Sequence, residues 1–390
     1  MPDAALPRLD PDRILADARA LAFPRYPGTA GGRRAIEGVA GRLRAAGLAV
    51  AVEEFSYDLR PAWRALRALL GGCALAVAAA GLVAPRSQAG AAALLVAAIL
   101  PAGVFLAWAP WLERIYRRPG PTVTANVEGR RPAAGRRRLT LVVLAHHDSK
   151  SQNLSLLARA GLTLAALAGA GTLAALLAAP GAPAAGPAAA AGLATAAALG
   201  VLATLRSGDE SPGGVDNAGS LGILCELART LPAHLPPDVE LIVLSPGAEE
   251  DHMVGAMRWL DRHAEELAAA PVAALNFDGA GNPGRLVLLE WYGFGRAFAP
   301  ALAATARRQA ARLGLPLRRV LLPPGHGVDA IPFAHRGLPC LTLTSGRLGR
   351  ATLAVHTAAD SADLLDRDTL LAAARLAAAT ALEVSAPSPS

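Results

Sequence analysis

Two long apolar blocks interrupt a chain that otherwise mixes short apolar runs with amphipathic stretches. Residues 68–112 contain one interior charged residue, Arg86, which follows a proline near the middle of the block. Residues 160–205 contain no charged residue and are divided by a PGAP stretch at 180–183. Because about 20 apolar residues suffice for a helix to cross a bilayer, each block predicts a hairpin of two transmembrane helices. For the second block, buried helices of a soluble core or a low-complexity linker are the alternatives.

The residues that flank the apolar blocks also favour a membrane location. Trp63, Trp108 and Trp111 lie at the ends of the first block, where interfacial aromatic residues gather. Basic residues cluster at the ends of the predicted hairpins that join the rest of the chain, whereas the turns between their helices contain only one basic residue, Arg86. The positive-inside rule therefore predicts that the rest of the chain forms a cytoplasmic domain. Residues 1–30 lack the apolar segment of a cleaved signal peptide. We therefore expect an integral protein of the cell membrane with four transmembrane helices. The basic flanking residues are Arg60, Arg64, Arg67, Arg114, Arg117, Arg118, Lys150, Arg159 and Arg206.

Outside these blocks the pattern predicts an α/β fold, with a mostly parallel sheet sandwiched by helices. The near-continuous apolar runs at 139–145 and 239–245 are typical of buried parallel strands. Amphipathic stretches between the apolar runs have the periodicity of helices that cover a sheet. Strands are also expected at 48–56, 271–278, 284–290 and 338–344, and helices at 12–22, 31–47, 217–231, 251–268, 296–313 and 366–383.

This pattern predicts a discontinuous catalytic domain into which both hairpins are inserted. Its three segments are residues 1–60, 119–152 and 206–386, and residues 387–390 form a tail. The first hairpin is expected at 61–118 and the second at 153–205.

Composition narrows the range of partners. Charged residues make up only 18% of the chain, against about 25% in a typical soluble domain, and the deficit lies in the two apolar blocks. The net charge of +7 comes from scattered arginines rather than from a long basic tract. Because no aromatic-rich binding motif accompanies these arginines, we expect no nucleic-acid partner.

Candidate metal ligands lie in short polar segments, three of which follow predicted strands. His146 comes after the strand at 139–145, Glu250 after the strand at 239–245, and Asp278 closes the strand at 271–278. The carboxyl ends of parallel strands meet at one edge of a sheet, where active sites gather. Asp216 and His356 lie in two further polar segments.

A mixed set of imidazoles and carboxylates suits a pair of zinc ions, with manganese or cobalt as possible substitutes. A hydrolase of this kind also needs a general base, and Glu249 is the natural candidate because it adjoins Glu250. Taken singly, each residue has a structural alternative: His146 as a core histidine, Asp216 as a helix N-cap and Asp278 as a strand-end cap.

Together these segments resemble the di-zinc aminopeptidase family that includes bacterial leucyl aminopeptidase and glutamate carboxypeptidase, with glutaminyl cyclase as a related member. His146-His147-Asp148 resembles the family's H-x-D motif, and Asp216-Asn217-Ala218-Gly219 its D-N-A-[SG] motif. The Glu249-Glu250 pair is followed by Gly255-Ala256, as in the family's E-E and G-[SA] pattern. Asn276-Phe277-Asp278 and His356-Thr357, with Asp360, are similar to its N-x-D and late H-T-x-x-D motifs.

The resemblance implies a role for each residue. One zinc would be bound by His146 and Asp278 and the other by Glu250 and His356, with Asp216 between them. Glu249 would deprotonate the shared water, and Asp148 would orient His146.

Two histidines stand where the family pattern differs. The family often has S-D-H before a P-F pair, and this chain has Asp329-Ala330 there, so His326 is either a substitute or an ordinary loop residue. His252 follows the glutamate pair where a small residue is usual, and either crowds the substrate pocket or is solvated.

The leading functional hypothesis is a membrane-bound zinc exopeptidase that removes an N-terminal amino acid from a peptide or amide substrate. Glutaminyl-cyclase-like or amidohydrolase activity on the same scaffold, and a non-catalytic membrane scaffold, are the alternatives. A transporter is disfavoured because the interiors of the apolar spans contain no acidic or basic residue that could handle a substrate.

Overall fold

The structure, a computed structural model, describes residues 6–107 and 118–387. Its chain divides into two compact units. The first comprises residues 1–58, 117–151 and 208–390, and the second comprises residues 59–116 and 152–207. The segments 1–5, 108–117 and 388–390 within these ranges lie outside the described residues.

The first unit is built on a mixed sheet whose centre is parallel. Its longer strands are ordered β1-β2-β4-β3-β5-β8-β6-β7, and a short strand at Arg296–Ala297 pairs with β6. Strands β4, β3, β5 and β8 run parallel to one another, whereas β2 is antiparallel to β1 and β4 and β6 is antiparallel to β8. The predicted mostly parallel sheet is thereby confirmed. The strands are β1 Ala49–Tyr57, β2 Thr122–Arg131, β3 Leu139–Leu144, β4 Val239–Ser245, β5 Val272–Phe277, β6 Arg285–Tyr292, β7 Leu317–Leu322 and β8 Cys340–Gly346.

Helices cover both faces of this sheet, as expected. Along β3, Leu141 and Val143 enter one hydrophobic cluster while Val142 and Leu144 enter the other, because successive side chains point to opposite faces. Both faces are therefore apolar, which explains why β3 and β4 are continuous hydrophobic runs. The helices of this unit are α1 Pro11–Leu21, α2 Ala30–Ala45, α7 Gly219–Thr230, α8 Val254–Arg262, α9 Ala264–Ala268, α10 Pro300–Arg312, α11 Ala330–His335, α12 Arg350–Ala354 and α13 Arg367–Ser385.

Several elements differ from the sequence-based expectation. Strand β2, Thr122–Arg131, was not anticipated because polar and charged residues occupy many of its positions. Strand β7 was missed for the same reason, since Arg318 and Arg319 are exposed in its middle. The helix expected at 251–268 begins at Val254 and is interrupted at His263, which separates α8 from α9.

His263 joins the edge strand β1 to α9 through two carboxylates. Its Nδ1 lies 2.9 Å from Glu266 Oε2 and its Nε2 lies 2.9 Å from Glu53 Oε1. The hydrogen bond to Glu53 raises the pKa of His263 above its ordinary value, with Glu266 adding to the effect although burial opposes it. A raised pKa in the folded state means that the stabilisation is complete below the unfolded-state pKa and is lost as the pH rises through the folded-state pKa.

We expect His263→Gln to destabilise the protein more in acid than in alkali. Hydrogen bonds to charged groups contribute about 1.5–3 kcal/mol each, and the protonated imidazole makes two of them only below its folded-state pKa. At about pH 6, the thermal unfolding midpoint of the variant should therefore be lower than that of the native chain. At about pH 9, the two midpoints should be nearly equal. These pH values lie on either side of the usual pKa range of histidine. The exposed His234→Gln variant is the control. An equal loss at both pH values would contradict the prediction.

In the described residues of the second unit, four helices are long and apolar enough to cross a membrane. Between 11% and 22% of each apolar window is buried, so most residues of these helices are at least partly exposed. Leu75, Leu100 and Leu164 are among those that are largely exposed. The helices are α3 Arg60–Val83, α4 Gln88–Ala107, α5 Leu156–Ala178 and α6 Ala185–Leu202.

Glycines allow two of these helices to pack closely. A Cβ added at Gly81 of α3 would lie 2.5 Å from Ala188 O, and one at Gly192 of α6 would lie 2.8 Å from Val77 O. Both obstacles are backbone atoms, which cannot move away as a flexible side chain could. Small residues that bring helix backbones together are a common means of association between membrane helices.

Gly192→Leu is accordingly expected to destabilise the helical unit by about 1–3 kcal/mol, the usual cost of overpacking. The matched control is Gly200→Leu in the same helix, where an added Cβ meets nothing within 4 Å. The midpoint of thermal unfolding in detergent should fall for the first variant and stay unchanged for the second. Equal midpoints for the two variants would be inconsistent with close α3–α6 packing.

Some sequence-based expectations fall outside the described residues. These concern the interfacial residues Trp108 and Trp111, the flanking residues Arg114 and Arg117, and most of the tail at 387–390.

Candidate active site

Three neighbouring strands, β3, β4 and β5, bring polar residues to one edge of the sheet. Leu144 of β3 is in register with Leu244 of β4 and with Asn276 of β5, so the residues after these strands emerge side by side. His146, Glu249 and Asp278 follow these three strand ends. Asp278 N in turn donates to Leu343 O of β8. The convergence is a direct result of parallel register.

The first group of candidate ligands comprises His146, Asp216 and Asp278. His146 Nε2 lies 3.3 Å from Asp216 Oδ1 and 3.9 Å from Asp278 Oδ1. One ligand atom from each residue lies within 4.8 Å of the others, which is close enough to hold a single metal ion. On the other side of the ring, His146 Nδ1 lies 3.2 Å from Asp148 O.

The second group comprises Asp216, Glu250 and His356. His356 Nε2 lies 3.2 Å from Asp216 Oδ2 and 3.1 Å from Glu250 Oε2. Asp216 thus offers one carboxylate oxygen to each group, and the two groups share it. All five sequence-predicted ligands are brought together in this way.

The donor atoms suit metal ions because several of them have no other partner. His146 Nε2, Asp216 Oδ1 and Glu250 Oε1 are buried, and none has a hydrogen-bond partner among the described residues. Buried polar atoms without partners are costly, and ions bound in the two groups would satisfy them. Imidazole nitrogens with carboxylate oxygens form a donor set that zinc accepts.

Asp148 supports both the imidazole and the loop that carries the glutamate pair. Its Oδ1 accepts from Glu249 N at 3.1 Å and its Oδ2 accepts from Glu250 N at 3.0 Å. Burial would raise the pKa of Asp148, but the hydrogen bond and charge of His146 bring it below the ordinary value. The carboxylate therefore stays ionised and fixes two segments of the site relative to each other.

Asp216 lies in an irregular turn that is held from both sides. Asp360 accepts from Val215 N at 2.7 Å and from Asp216 N at 3.2 Å. Asn217 donates to Phe277 O and accepts from Gly279 N, which ties the turn to the segment around Asp278. The peptide bond between Asp216 and Asn217 is cis.

Glycine is required where this turn begins. Gly213 has a φ of 57°, in the left-handed region, and a Cβ there would lie 2.4 Å from Asp216 O. The guanidinium of Arg25 fills the adjacent space. It donates to the carbonyl oxygens of His147, Pro212 and Gly213, so one buried cation links two ligand-bearing segments.

Glu249 lies next to the first group, with its Oε2 3.8 Å from His146 Nε2. Burial raises the pKa of Glu249 well above its ordinary value, and the nearby charges of Asp278 and Asp329 raise it further although His146 opposes them. A carboxylate with a raised pKa is a stronger proton acceptor, which suits a general base. Glu249 is thus placed beside the candidate ligands without belonging to either group.

Comparison with known proteins identifies the family. Residues 123–381 match Peptidase family M28, and this match covers more than half of the chain. The chain belongs to peptidase family M28. No curated protein matches the chain in sequence.

The M28 chain also has the fold of solved aminopeptidases and glutaminyl cyclases. It is 15% identical to a zinc aminopeptidase from Bacillus subtilis, with a TM-score of 0.58 over 97% of this chain and 95% of that chain. An aminopeptidase from Aneurinibacillus sp. strain AM-1 is 14% identical, with a TM-score of 0.57 over 96% and 93% of the two chains. A glutaminyl cyclase from Fimbriiglobus ruber is 14% identical, with a TM-score of 0.54 over 96% and 95%. The suspected resemblance is confirmed, and the family supports a zinc exopeptidase-type hydrolase.

The M28 site contains a carboxyl group to which the sequence had assigned no role. Asp329 is buried, and neither of its carboxylate oxygens has a hydrogen-bond partner among the described residues. Burial raises its pKa to about 8, with the charges of Asp148 and Asp278 contributing. Only its position in the family's S-D-H motif could have drawn attention to it, since it does not follow a strand.

The two histidines that depart from the M28 pattern occupy surface positions. His252 is exposed and has a φ of 70°, in a turn that precedes α8 rather than within a helix. His326 is exposed in the segment between β7 and α11. Neither belongs to a candidate ligand group among the described residues.

Lys150 is a basic residue that contacts the second group. Its Nζ lies 3.0 Å from Glu250 Oε2 and donates to Glu250 O at 2.8 Å. Burial would lower the pKa of Lys150, but the charges of Glu250 and Glu249 raise it above its ordinary value, so it remains cationic. It offsets part of the negative charge that the clustered carboxylates create.

Proposed function

We propose that this chain is a membrane-bound, zinc-dependent aminopeptidase that hydrolyses the N-terminal peptide bond of its substrate. One observation carries the proposal: two candidate ligand groups share the carboxylate of Asp216. A shared carboxylate between two groups of imidazole and carboxylate donors is the arrangement expected of a two-metal hydrolase. The M28 match supports a peptide substrate.

In this proposal each residue has a defined task. His146 and Asp278 would hold one zinc and Glu250 and His356 the other, with the carboxylate of Asp216 shared by the two groups. When bound, zinc would supply Lewis acidity toward the substrate carbonyl and the attacking water. Glu249 accepts the proton of the attacking water and returns it to the leaving amine. Asp148 holds His146 and the main chain of Glu249 and Glu250 in position.

We also propose that both hairpins cross the membrane and that the catalytic domain faces the cytoplasm. Four helices that are long and apolar enough to cross a membrane, with few buried residues, support membrane insertion. The catalytic domain would comprise residues 1–60, 119–152 and 206–386, with the hairpins at 61–118 and 153–205. Basic flanking residues against a single far-side Arg86 favour the cytoplasmic orientation. A reporter that fluoresces only in the cytoplasm, fused after residue 387, should be bright if this orientation is right and dark if it is reversed.

Activity and metal content of the purified protein test the enzymatic proposal. The protein would be purified in detergent, its bound metal measured by elemental analysis, and its activity assayed on a panel of aminoacyl-nitroanilides and N-terminal glutaminyl peptides. We expect about two zinc ions per chain, as in two-metal hydrolases, and nitroanilide cleavage that a chelator abolishes and zinc restores. Cyclisation of glutaminyl peptides with one zinc would favour the cyclase alternative. Absence of zinc after incubation with excess metal would favour a non-catalytic scaffold.

A further inference from the structure

Two tyrosine hydroxyls hydrogen-bond to one buried carboxylate, which follows the glutamate pair in sequence. Tyr57 Oη donates to Asp251 Oδ2 at 2.5 Å, and Tyr26 Oη lies 2.9 Å from Oδ1 and 3.1 Å from Oδ2 of the same residue. Asp251 is only 3% exposed. Burial raises the pKa of both phenols, so both hydroxyls keep their protons and act as donors. The candidate ligand Glu250 is the residue immediately before Asp251.

The loop that carries Glu249 and Glu250 has a backbone that needs external support. Ala248, His252 and Met253 have φ values of 58°, 70° and 59°, and none of them is glycine. Side chains with a Cβ rarely adopt this region, and such residues persist only where surrounding contacts hold them. Asp148 holds the first half of the loop through the main-chain amides of the two glutamates. The two tyrosines hold its second half through Asp251.

Tyr57 itself adjoins a hairpin in sequence, and Tyr26 hydrogen-bonds to a residue that adjoins the other. Tyr57 is the last residue of β1, two positions before the helical unit begins at Leu59. Tyr26 N donates to Asp209 Oδ1 at 2.8 Å, and Asp209 lies two positions after that unit ends at Ser207. The Asp251 cluster is therefore connected to the segment that leads into the first hairpin and to the segment that follows the second.

We propose that Tyr26 and Tyr57 are positioning residues that, through Asp251, hold Glu250 in the conformation that completes the Asp216–Glu250–His356 group. This inference rests on the proposed two-zinc function. The hydroxyls fix Asp251, Asp251 fixes the loop, and the loop directs the Glu250 carboxylate toward His356, which lies 3.1 Å away. The His146–Asp216–Asp278 group contains no residue of this loop, so it should not depend on the tyrosines.

The test removes the hydroxyls and leaves the rings in place. Zinc binding would be measured by chelator competition for Tyr26→Phe, Tyr57→Phe and the double variant in the full-length protein. Tyr292→Phe is the matched control, because this tyrosine is similarly buried but packs against Phe298 instead of Asp251. Loss of an outer partner of a metal site typically costs about 10–100-fold in affinity. We expect the double variant to bind the zinc of the Asp216–Glu250–His356 group at least tenfold less tightly, and the control to behave as the native chain.

Introducing the tyrosine substitutions into two ligand variants shows which of the two ligand groups they affect. In Asp278→Ala, which removes a first-group ligand, the double tyrosine variant should still weaken the remaining zinc about tenfold. In His356→Ala, which removes a second-group ligand, it should change zinc affinity less than twofold, because the affected half of the site is already lost. Excess zinc should restore kcat of the double variant, since the tyrosines act through metal occupancy and not on the substrate.

Three results would overturn the inference. Equal weakening in both backgrounds would indicate a general structural role for the tyrosines, and unchanged zinc affinity in the double variant would indicate no role. A kcat that stays low at saturating zinc would mean that the tyrosines do not act through metal occupancy. A native chain that binds no zinc would overturn the proposed function and this inference together, whereas the other outcomes leave the proposed function intact.

Discussion

Replacing Glu249 with glutamine is expected to lower kcat by about a thousandfold, the middle of the range for loss of a general base. Glutamine keeps the size of the side chain and removes its ability to accept a proton. Because Glu249 belongs to neither candidate ligand group, the zinc content should stay at the native level. A rate measurement with a nitroanilide substrate, combined with elemental analysis of the same preparation, checks both parts.

The exposed Glu265→Gln variant is the control for this substitution and should retain native kcat. If Glu249→Gln also lost zinc, Glu249 would be a ligand and another group would have to be the base. The obvious replacement is Asp329, whose buried carboxyl has a pKa raised to about 8 by burial. Native activity in Glu249→Gln would remove the proposed role altogether.

The second large effect is expected for Asp216→Asn, which removes the negative charge that both ligand groups share. Each group loses an anionic donor, so zinc affinity should fall at both positions by more than the roughly 10–100-fold that an outer partner costs. Hydrolysis should fall to background. The backbone amide of Asp216 still bonds Asp360, and asparagine fits the same space, so the fold should survive.

Elemental analysis and circular dichroism of Asp216→Asn measure the two consequences separately. The exposed Asp363→Asn variant is the matched control and should bind zinc as the native chain does. Loss of a single zinc, with the other bound at native affinity, would show that Asp216 serves one ion only. The proposed two-metal arrangement would then have to be replaced by two independent sites.

The candidate ligands that follow predicted strands could be identified from the sequence alone. His146 and Asp278 follow buried apolar strands, and parallel register brings such positions together whatever the intervening chain contains. The grouping of the ligands around Asp216 came from the family resemblance, because nothing in the spacing of Asp216 or His356 fixes their partners. The structure reproduces that grouping in its geometry.

What the sequence did not predict depends on contacts between distant segments. Tyr26 and Tyr57 are 225 and 194 residues from Asp251, respectively, and neither segment carries a pattern that points to the other. Asp329 follows no strand, so its burial among carboxylates could be learned only from the fold. The edge strand β7 was missed because exposed arginines interrupt its apolar pattern.

The hydrogen bond from Ser149 to Ser211 has a consequence for how the site assembles during folding. These residues are 62 positions apart, and their contact of 2.9 Å lies between the segments that carry His146 and Asp216. Closing a disordered loop of that length costs entropy, by about 0.6 kcal/mol for each doubling. A helical hairpin removes most of this cost, because two antiparallel helices return the chain close to its starting point. The ligand groups should therefore form late, after the second hairpin has folded, and a newly made chain should acquire zinc only once that hairpin is in place.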